Sequence, residues 1–325
     1  MEEEVRARSG ATLPWVLVRK ILGNLEYYND LVRAEGVCSE WRDSIRADRG
    51  LHRSVVLAPG TLFNKQLESR LKGLDSMVSF SATDLKVTRN SLGRLAPNPV
   101  HAISKCTSLS FHRCEFVEYG FVIDATRTVL KQLTINSCSQ LKSAFLNIPA
   151  LDSITLRDME QLMFVIDAIA LRSVVLSHST LCSAWMNSER NRMLQALFNP
   201  VLKPKTVKML DISWNRMPNP YPDALPDVYE GHREEPLYRF LAAFTNLEQL
   251  DISGLEWDTE YRDLSDRSHL DFTFLRRLKR VQATDIDSLK KISLPKGVEY
   301  VDVQRSGGGV KPTVLADSAD IQIMT

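Results

Sequence analysis

The chain has 325 residues, a hydrophobic fraction of 44% and a formal net charge of +1. That length suits two units or one elongated one, with enough apolar residues for a sizeable core. The near-zero charge gives no general attraction to nucleic acid or to a membrane surface. The opening MEEEVRARSG is charged and lacks the apolar stretch of a secretory signal. The longest apolar run, near Phe164 to Leu176, is broken by Asp167 and Arg172, so no membrane span is expected. The five cysteines, Cys38, Cys106, Cys114, Cys138 and Cys182, are odd in number and have no Cys-x-x-Cys spacing. No disulfide or zinc framework is expected, and a reducing compartment, cytoplasmic and/or nuclear, fits.

A charged tail over residues 1–10 leads into a predicted helix. Pro14 suits a first helical turn, where a missing N–H costs nothing, and Thr12 is placed to cap it. Leu17, Ile21 and Leu25 recur at i, i+4 and i+8 and mark one apolar stripe. Asn29 or Asp30 can cap a second short helix that Leu31 opens. Val37, Trp41 and Ile45, at spacing four, mark a third. Three short helices cannot bury all these residues among themselves, so some must face a partner or the rest of the chain.

Leu13, Pro14, Leu17, Ile21, Leu25, Leu31, Val37, Cys38 and Trp41 together resemble the F-box, a helical module here spanning 11–50. The resemblance implies that these nine residues dock a Skp-type adaptor and, through it, a cullin. The chain departs from the family at Val16, where an acidic residue is common, and in the loop Glu26 to Asp30, which is one residue longer.

From about residue 100 the pattern apolar-x-x-apolar-x-apolar recurs. It appears at Cys106/Leu109/Phe111, Leu130/Leu133/Ile135, Leu151/Ile154/Leu156 and Leu171/Val174/Leu176. It continues at Val207/Leu210/Ile212, Leu247/Leu250/Ile252, Leu278/Val281/Ala283 and Val298/Val301/Val303. This is similar to the leucine-rich-repeat signature, whose ninth, buried position holds Cys114, Cys138 and Asn215. The spacing is irregular, so insertions are expected, above all the proline-rich loop 217–236 with Tyr221 and Tyr229. Earlier strands are expected at Val55 to Leu57 and Val78 to Phe80. Between strands, Leu194, Leu197 and Phe198 form one helical face, and Leu237, Phe240, Leu241 and Phe244 another.

The expected fold is α/β: a three-helix F-box followed by an irregular leucine-rich-repeat solenoid with a curved parallel sheet. The array covers 51–304, and residues 305–325 form a cap or tail. Helix or irregular chain is expected on the convex side. The residues between and just after the buried strand positions then face the concave side. His112, Arg157, Asp211, Trp214, Asp251 and Asp302, with Tyr221 and Tyr229 on the loop, are the candidate target contacts. The three aspartates fall in one column on neighbouring strands and could read a basic segment of a target. The basic cluster Arg276, Arg277, Lys279 and Arg280 reads as a solvated convex face.

No metal spacing, Walker loop, G-x-S-x-G or G-x-G-x-x-G is present. No cofactor and no catalytic group are expected. The resemblance implies a non-catalytic, substrate-recognition subunit of a Skp–cullin–F-box ubiquitin ligase that binds one or more protein targets. The alternative is a repeat interaction protein, an assembly factor or inhibitor, that recruits no ligase.

Overall fold

The computed structural model describes residues 13–87, 105–115, 121–123, 129–138, 143–159, 163–167, 170–178, 204–217, 241–257, 268–316 and 321–325. Three helices come first: α1 (Trp15–Leu22), α2 (Tyr28–Ala34) and α3 (Ser39–Ala47), with α4 (Lys65–Lys72) following the first strand. Eleven parallel strands then form one sheet in chain order. They are β1 (Ser54–Leu57), β2 (Ser79–Thr83), β3 (Ser108–His112), β4 (Gln132–Asn136), β5 (Ser153–Arg157) and β6 (Ser173–Ser177). The rest are β7 (Met209–Asp211), β8 (Gln249–Asp251), β9 (Arg280–Gln282), β10 (Tyr300–Asp302) and β11 (Gln322–Met324).

The register never slips. Val55, Phe80, Leu109, Leu133, Ile154 and Val174 lie side by side, and the row runs on through Leu210, Leu250, Val281 and Val301 to Ile323. A one-residue slip would turn every apolar side chain to the other face, so the buried pattern itself fixes the pairing. All eight apolar triplets read from the sequence are buried. The same spacing extends back to Met77, Phe80 and Ala82, and then to His52, Val55 and Leu57, all buried. The fold is thus an α/β leucine-rich-repeat solenoid, each repeat adding one strand to the sheet.

The opposite side of the array differs from the expected helix or irregular chain. Short parallel strands lie there, in the sets Phe121–Ile123, Ser143–Asn147, Met163–Asp167 and His269–Asp271, Lys291–Ser293, Thr313–Leu315. A repeat of about 20 residues spends most of its length on one strand and two turns. What remains spans the width of the array in extended form but is too short for a stable helix. The expected helix faces around Leu194 and Leu237 lie outside the described residues, apart from Leu241 and Phe244, which are buried. The stretch after Val303 supplies Thr313–Leu315 to one row and β11 to the other.

One buried cluster runs from Val18 in α1 to Val303, so the helices cover the first repeat and share its core. In α1 the buried face is Val18 and Leu22, one residue on from the predicted stripe. Tyr28 and Leu31 of α2 and Ile45 of α3 complete this end. The polar ties are specific. Glu35, 6% exposed, takes Arg46 at 3.0 Å and Arg70 of α4 at 3.4 Å. Arg19 pairs with Asp48 at 2.7 Å, joining α1 to the end of α3. Asn29 does not cap α2, whose N-cap is Tyr27. Its side chain instead accepts the Ala58 N–H at 3.0 Å and donates to Thr61 Oγ1 at 3.3 Å, so it tethers α2 to the loop after β1. Cys38 caps α3, its sulfur accepting the Trp41 N–H at 3.4 Å.

Glu35→Ala leaves the half-buried Arg70 guanidinium and the exposed Arg46 without their shared carboxylate. It is expected to cost about 2 kcal/mol in a urea titration. A loss below about 0.5 kcal/mol would mean that apolar packing alone seats the helices.

Candidate interaction surfaces

Two surfaces hold the candidate residues. The first is the outer face of α1 and the turns beside it. Leu13, Val16, Leu17, Ile21, Leu25 and Val37 are all exposed, Leu17 by 49% and Ile21 by 50%. Pro14 is the N-cap of α1, and its carbonyl accepts from Leu17 and Val18. Helix α1 therefore carries two apolar faces, Val18/Leu22 inward and Leu17/Ile21 outward. Leu25 lies past the helix end at Leu22, in the turn. Cys38 is exposed, Trp41 is half-buried against the core, and Leu31 is buried beneath α2. Six large apolar groups in solvent over 25 residues are more than the scattered singles of an ordinary surface.

The second surface is the free face of the eleven-stranded sheet. One column along it reads Ser81, Ser110, Thr134, Thr155, Val175, Asp211, Asp251, Gln282, Asp302 and Met324. Asp211 and Asp251 are direct neighbours, but Gln282 separates Asp251 from Asp302, so the aspartates do not sit on three adjacent strands. Each carboxylate also has a local task. Asp211 Oδ1 accepts the Ser213 N–H at 2.9 Å, Asp251 Oδ1 accepts that of Ser253 at 2.9 Å, and Asp302 Oδ1 accepts that of Gln304 at 3.1 Å. Asp211 is buried and faces Arg157 of β5 at 3.8 Å. Burial raises the Asp251 carboxyl above its ordinary range, against the pull of the Ser253 hydrogen bonds, and the neighbouring Asp211 charge adds to the rise.

Just after each strand from β2 to β10, one residue turns left-handed. Asp84, Arg113, Ser137, Asp158, His178, Trp214, Asp285 and Arg305 have φ between 49° and 59°, and Gly254 has 60°. Every one of these N–H groups from Asp84 to Asp285 donates to the carbonyl of the next repeat, as Trp214 does to Ser253 at 2.7 Å. Their side chains pair along this trailing rim. Arg113 grips Asp84 at 2.7 and 3.0 Å, Ser137 Oγ donates to Asp158 at 3.1 Å, and Arg305 meets Asp285 at 2.8 Å. The His178 and Trp214 rings stack at 5.5 Å, nearly parallel. Trp214 also lies on Gly254, where an added Cβ would come within 2.4 Å of the indole. His112 sits half-buried in the column beside this rim, next to Arg113 at 3.2 Å. Tyr221 and Tyr229 lie outside the described residues.

The ninth repeat position is a buried donor ladder. Cys114 Sγ lies 3.4 Å from the Ala82 carbonyl, Cys138 Sγ 3.9 Å from that of Phe111, and Asn215 Nδ2 donates to that of Leu176. Ser306, unmarked in the sequence reading, does the same for Ala283 at 2.7 Å. Its signal was there: it falls eight residues after Val298, as Asn215 falls eight after Val207. These groups are structural. Burial pushes the Cys106 thiol up to about 12, and hydrogen bonding to Cys114 together with burial raises that of Cys138. Among the described residues no group of three or more His, Cys, Asp or Glu side chains is placed to hold a metal, and no described helix is long and apolar enough to cross a membrane.

No protein-family profile matches the chain, and no curated protein matches it. Among solved structures, similarity is found to the leucine-rich repeat domain of APL1B at 11% identity and TM-score 0.35, covering 83% of this chain and 60% of that one. The Toll–Spatzle complex of Drosophila is similar at 12% identity and TM-score 0.39, covering 85% and 37%. A domain of InlJ from Listeria monocytogenes that includes a cysteine ladder is similar at 10% identity and TM-score 0.31, covering 80% and 55%. The chain spans 60% or less of the length of these three.

Two substitutions test this geometry. Gly254→Ala meets both a left-handed backbone and the indole, and is expected to cost about 2 kcal/mol. Trp214→Ala in the same chain should recover part of that loss, and two additive effects would mean the ring does not rest on the glycine. Asp251 binds its proton more tightly folded than unfolded, so its ionisation lowers stability as pH rises through the folded value. Asp251→Asn keeps the oxygen that accepts from Ser253. Its urea midpoint should therefore stand above that of the unaltered chain at pH 7 and converge with it near pH 4; an unchanged difference at both values would exclude a raised carboxyl.

Proposed function

We propose that this chain is a substrate-recognition subunit of a Skp–cullin–F-box ubiquitin ligase. Its N-terminal helices dock the adaptor and its repeats hold a protein target. The observation that carries this reading is the outward apolar row Leu13, Leu17, Ile21 and Leu25, left in solvent by a helix whose other face is already packed, with Val37 likewise exposed before α3. A helix that only capped the array would have no use for a second apolar face. Pro14 starts the helix that bears the row, Cys38 and Trp41 shape the start of α3, and Leu31 seats α2 on the first repeat. The sheet offers the target a broad polar face bounded by rims of fixed side chains, which suits protein recognition. Catalysis is then by proximity, with the chemistry done by the conjugating enzyme the cullin brings.

A second reading keeps the repeats as a binding surface but recruits no ligase. Val16, 77% exposed where the F-box family often carries an acid, is the residue that favours it. Co-purification with a Skp-type adaptor and its cullin separates the two. The control is Leu17→Asp with Ile21→Asp, which changes only exposed positions and should leave the melting temperature within a few degrees. Capture by the unaltered chain, falling at least about tenfold in the variant, is expected. A chain that emerges alone, or a variant that captures equally well, overturns the ligase reading and leaves the binding array.

A further inference from the structure

Among the described residues, the charge left uncompensated on the sheet is positive and lies along the leading rim, where the chain turns into β7 to β10. These turns and first strand positions carry Lys205, Lys208, Arg276, Arg277, Lys279 and Arg280, all exposed, with Lys296 beyond. They meet two carboxylates, Glu248 and Glu299. Lys208 bonds Glu248 at 2.8 Å, and Lys279 reaches Glu299 at 3.7 Å. The backbone makes the rim continuous: Glu248 N–H donates to Lys208 O, Lys279 N–H to Glu248 O, and Glu299 N–H to Lys279 O. Glu248 is held below its usual range by Lys208 first, and also by Lys279 and Arg277. Three cations thus converge on one carboxylate, and their mutual repulsion is only partly relieved.

Inside this rim lies a shallow depression lined by Gln249, Arg280, Gln282, Tyr300 and Gln322, with Asp251 and Glu299 on its wall. Three amides and a guanidinium can donate hydrogen bonds there, while the Tyr300 hydroxyl donates to Asp302 at 3.4 Å. The acidic column beside it is already engaged in its turns, and Asp211 with Arg157 as well. Elsewhere on the rims several charges are matched in pairs, as in Asp152 with Arg172 and Asp84 with Arg113.

We propose that the leading rim of β7 to β10, with the depression behind it, docks an acidic protein segment. Aspartate or glutamate side chains would lie on Lys205, Lys208, Arg276 and Arg277, and one carboxylate would reach Arg280. Electrostatic complementarity of this kind selects the partner and speeds encounter. The inference rests on the reading of the sheet as a target surface and is independent of adaptor docking. It offers the surface to an acidic segment, where the sequence offers the aspartates as one possible reader of a basic one.

The test uses the full chain and a fluorescein-labelled deca-glutamate peptide, followed by anisotropy. Binding should weaken steeply between about 50 and about 200 mM salt. It should fall at least about tenfold in the Arg276→Gln, Arg277→Gln, Lys279→Gln variant. A variant with the same charge loss elsewhere, Arg53→Gln, Lys65→Gln, Lys86→Gln, should bind as the unaltered chain does. Absence of binding, or equal loss in both variants, overturns the site. Equal or tighter binding of a single-stranded oligonucleotide overturns the assignment to a protein segment. Failure to capture the adaptor would leave all these outcomes unaffected.

Discussion

Every repeat must turn its chain out of the sheet directly after a strand, and the structure does so with one residue in the left-handed region. For a non-glycine residue that conformation costs on the order of 1 kcal/mol. It is spent eight times between Asp84 and Arg305. The offset is the N–H bond that nearly every such residue makes to the next repeat. The bond exists only when the neighbour is in place, so each turn is stable only in the stack. The same holds for the ninth-position donors, which bond back to a carbonyl of the repeat before. Local strain and buried polar groups are both settled in part between repeats, which makes the array cooperative along its length.

This constraint explains what was legible in the sequence. A core position stacked between two like positions must be apolar, so the triplets from Cys106 to Val303 could be read directly. The first repeat was obscure because His52 fills a position that elsewhere holds Leu, Val, Met or Cys. Its ring is buried nonetheless, with Nε2 at 2.9 Å from the Ile45 carbonyl. The convex strands carry no recurring apolar triplet of the kind that marks the main sheet, so the sequence did not reveal them. In α1 the spacing Leu17, Ile21, Leu25 marked a true apolar row but not the buried one, since Val18 and Leu22 have the same spacing one residue later. Periodicity finds a face; only packing says which way it points.

Charge was the least legible feature. Composition gives +1 for the whole chain and hides local excess. The aspartates of β7, β8 and β10 looked like a free acidic column because Asx turns cannot be told from solvated acids by spacing. The basic residues before β9 looked like a solvated convex face because their register against Lys208 and Glu248 is set by strands about 30 to 70 residues away in sequence.

The two surfaces stand in a fixed relation. No flexible linker separates α1 from the first strand: Arg19 ties α1 to Asp48, and Glu35, Arg46, Arg70 and Asn29 tie the helices to one another, to α4 and to the loop after β1. A partner seated on Leu17 and Ile21 is therefore held at a set position relative to β1, and each later strand follows by register. Two partners bound at the two surfaces would be oriented by the protein itself, so their encounter would lose little further freedom. Such rigidity has a corollary for the array: a repeat cannot be removed without shifting everything beyond it, so the irregular spacing has to be absorbed in the segments between strands, while the strands themselves keep one unbroken register.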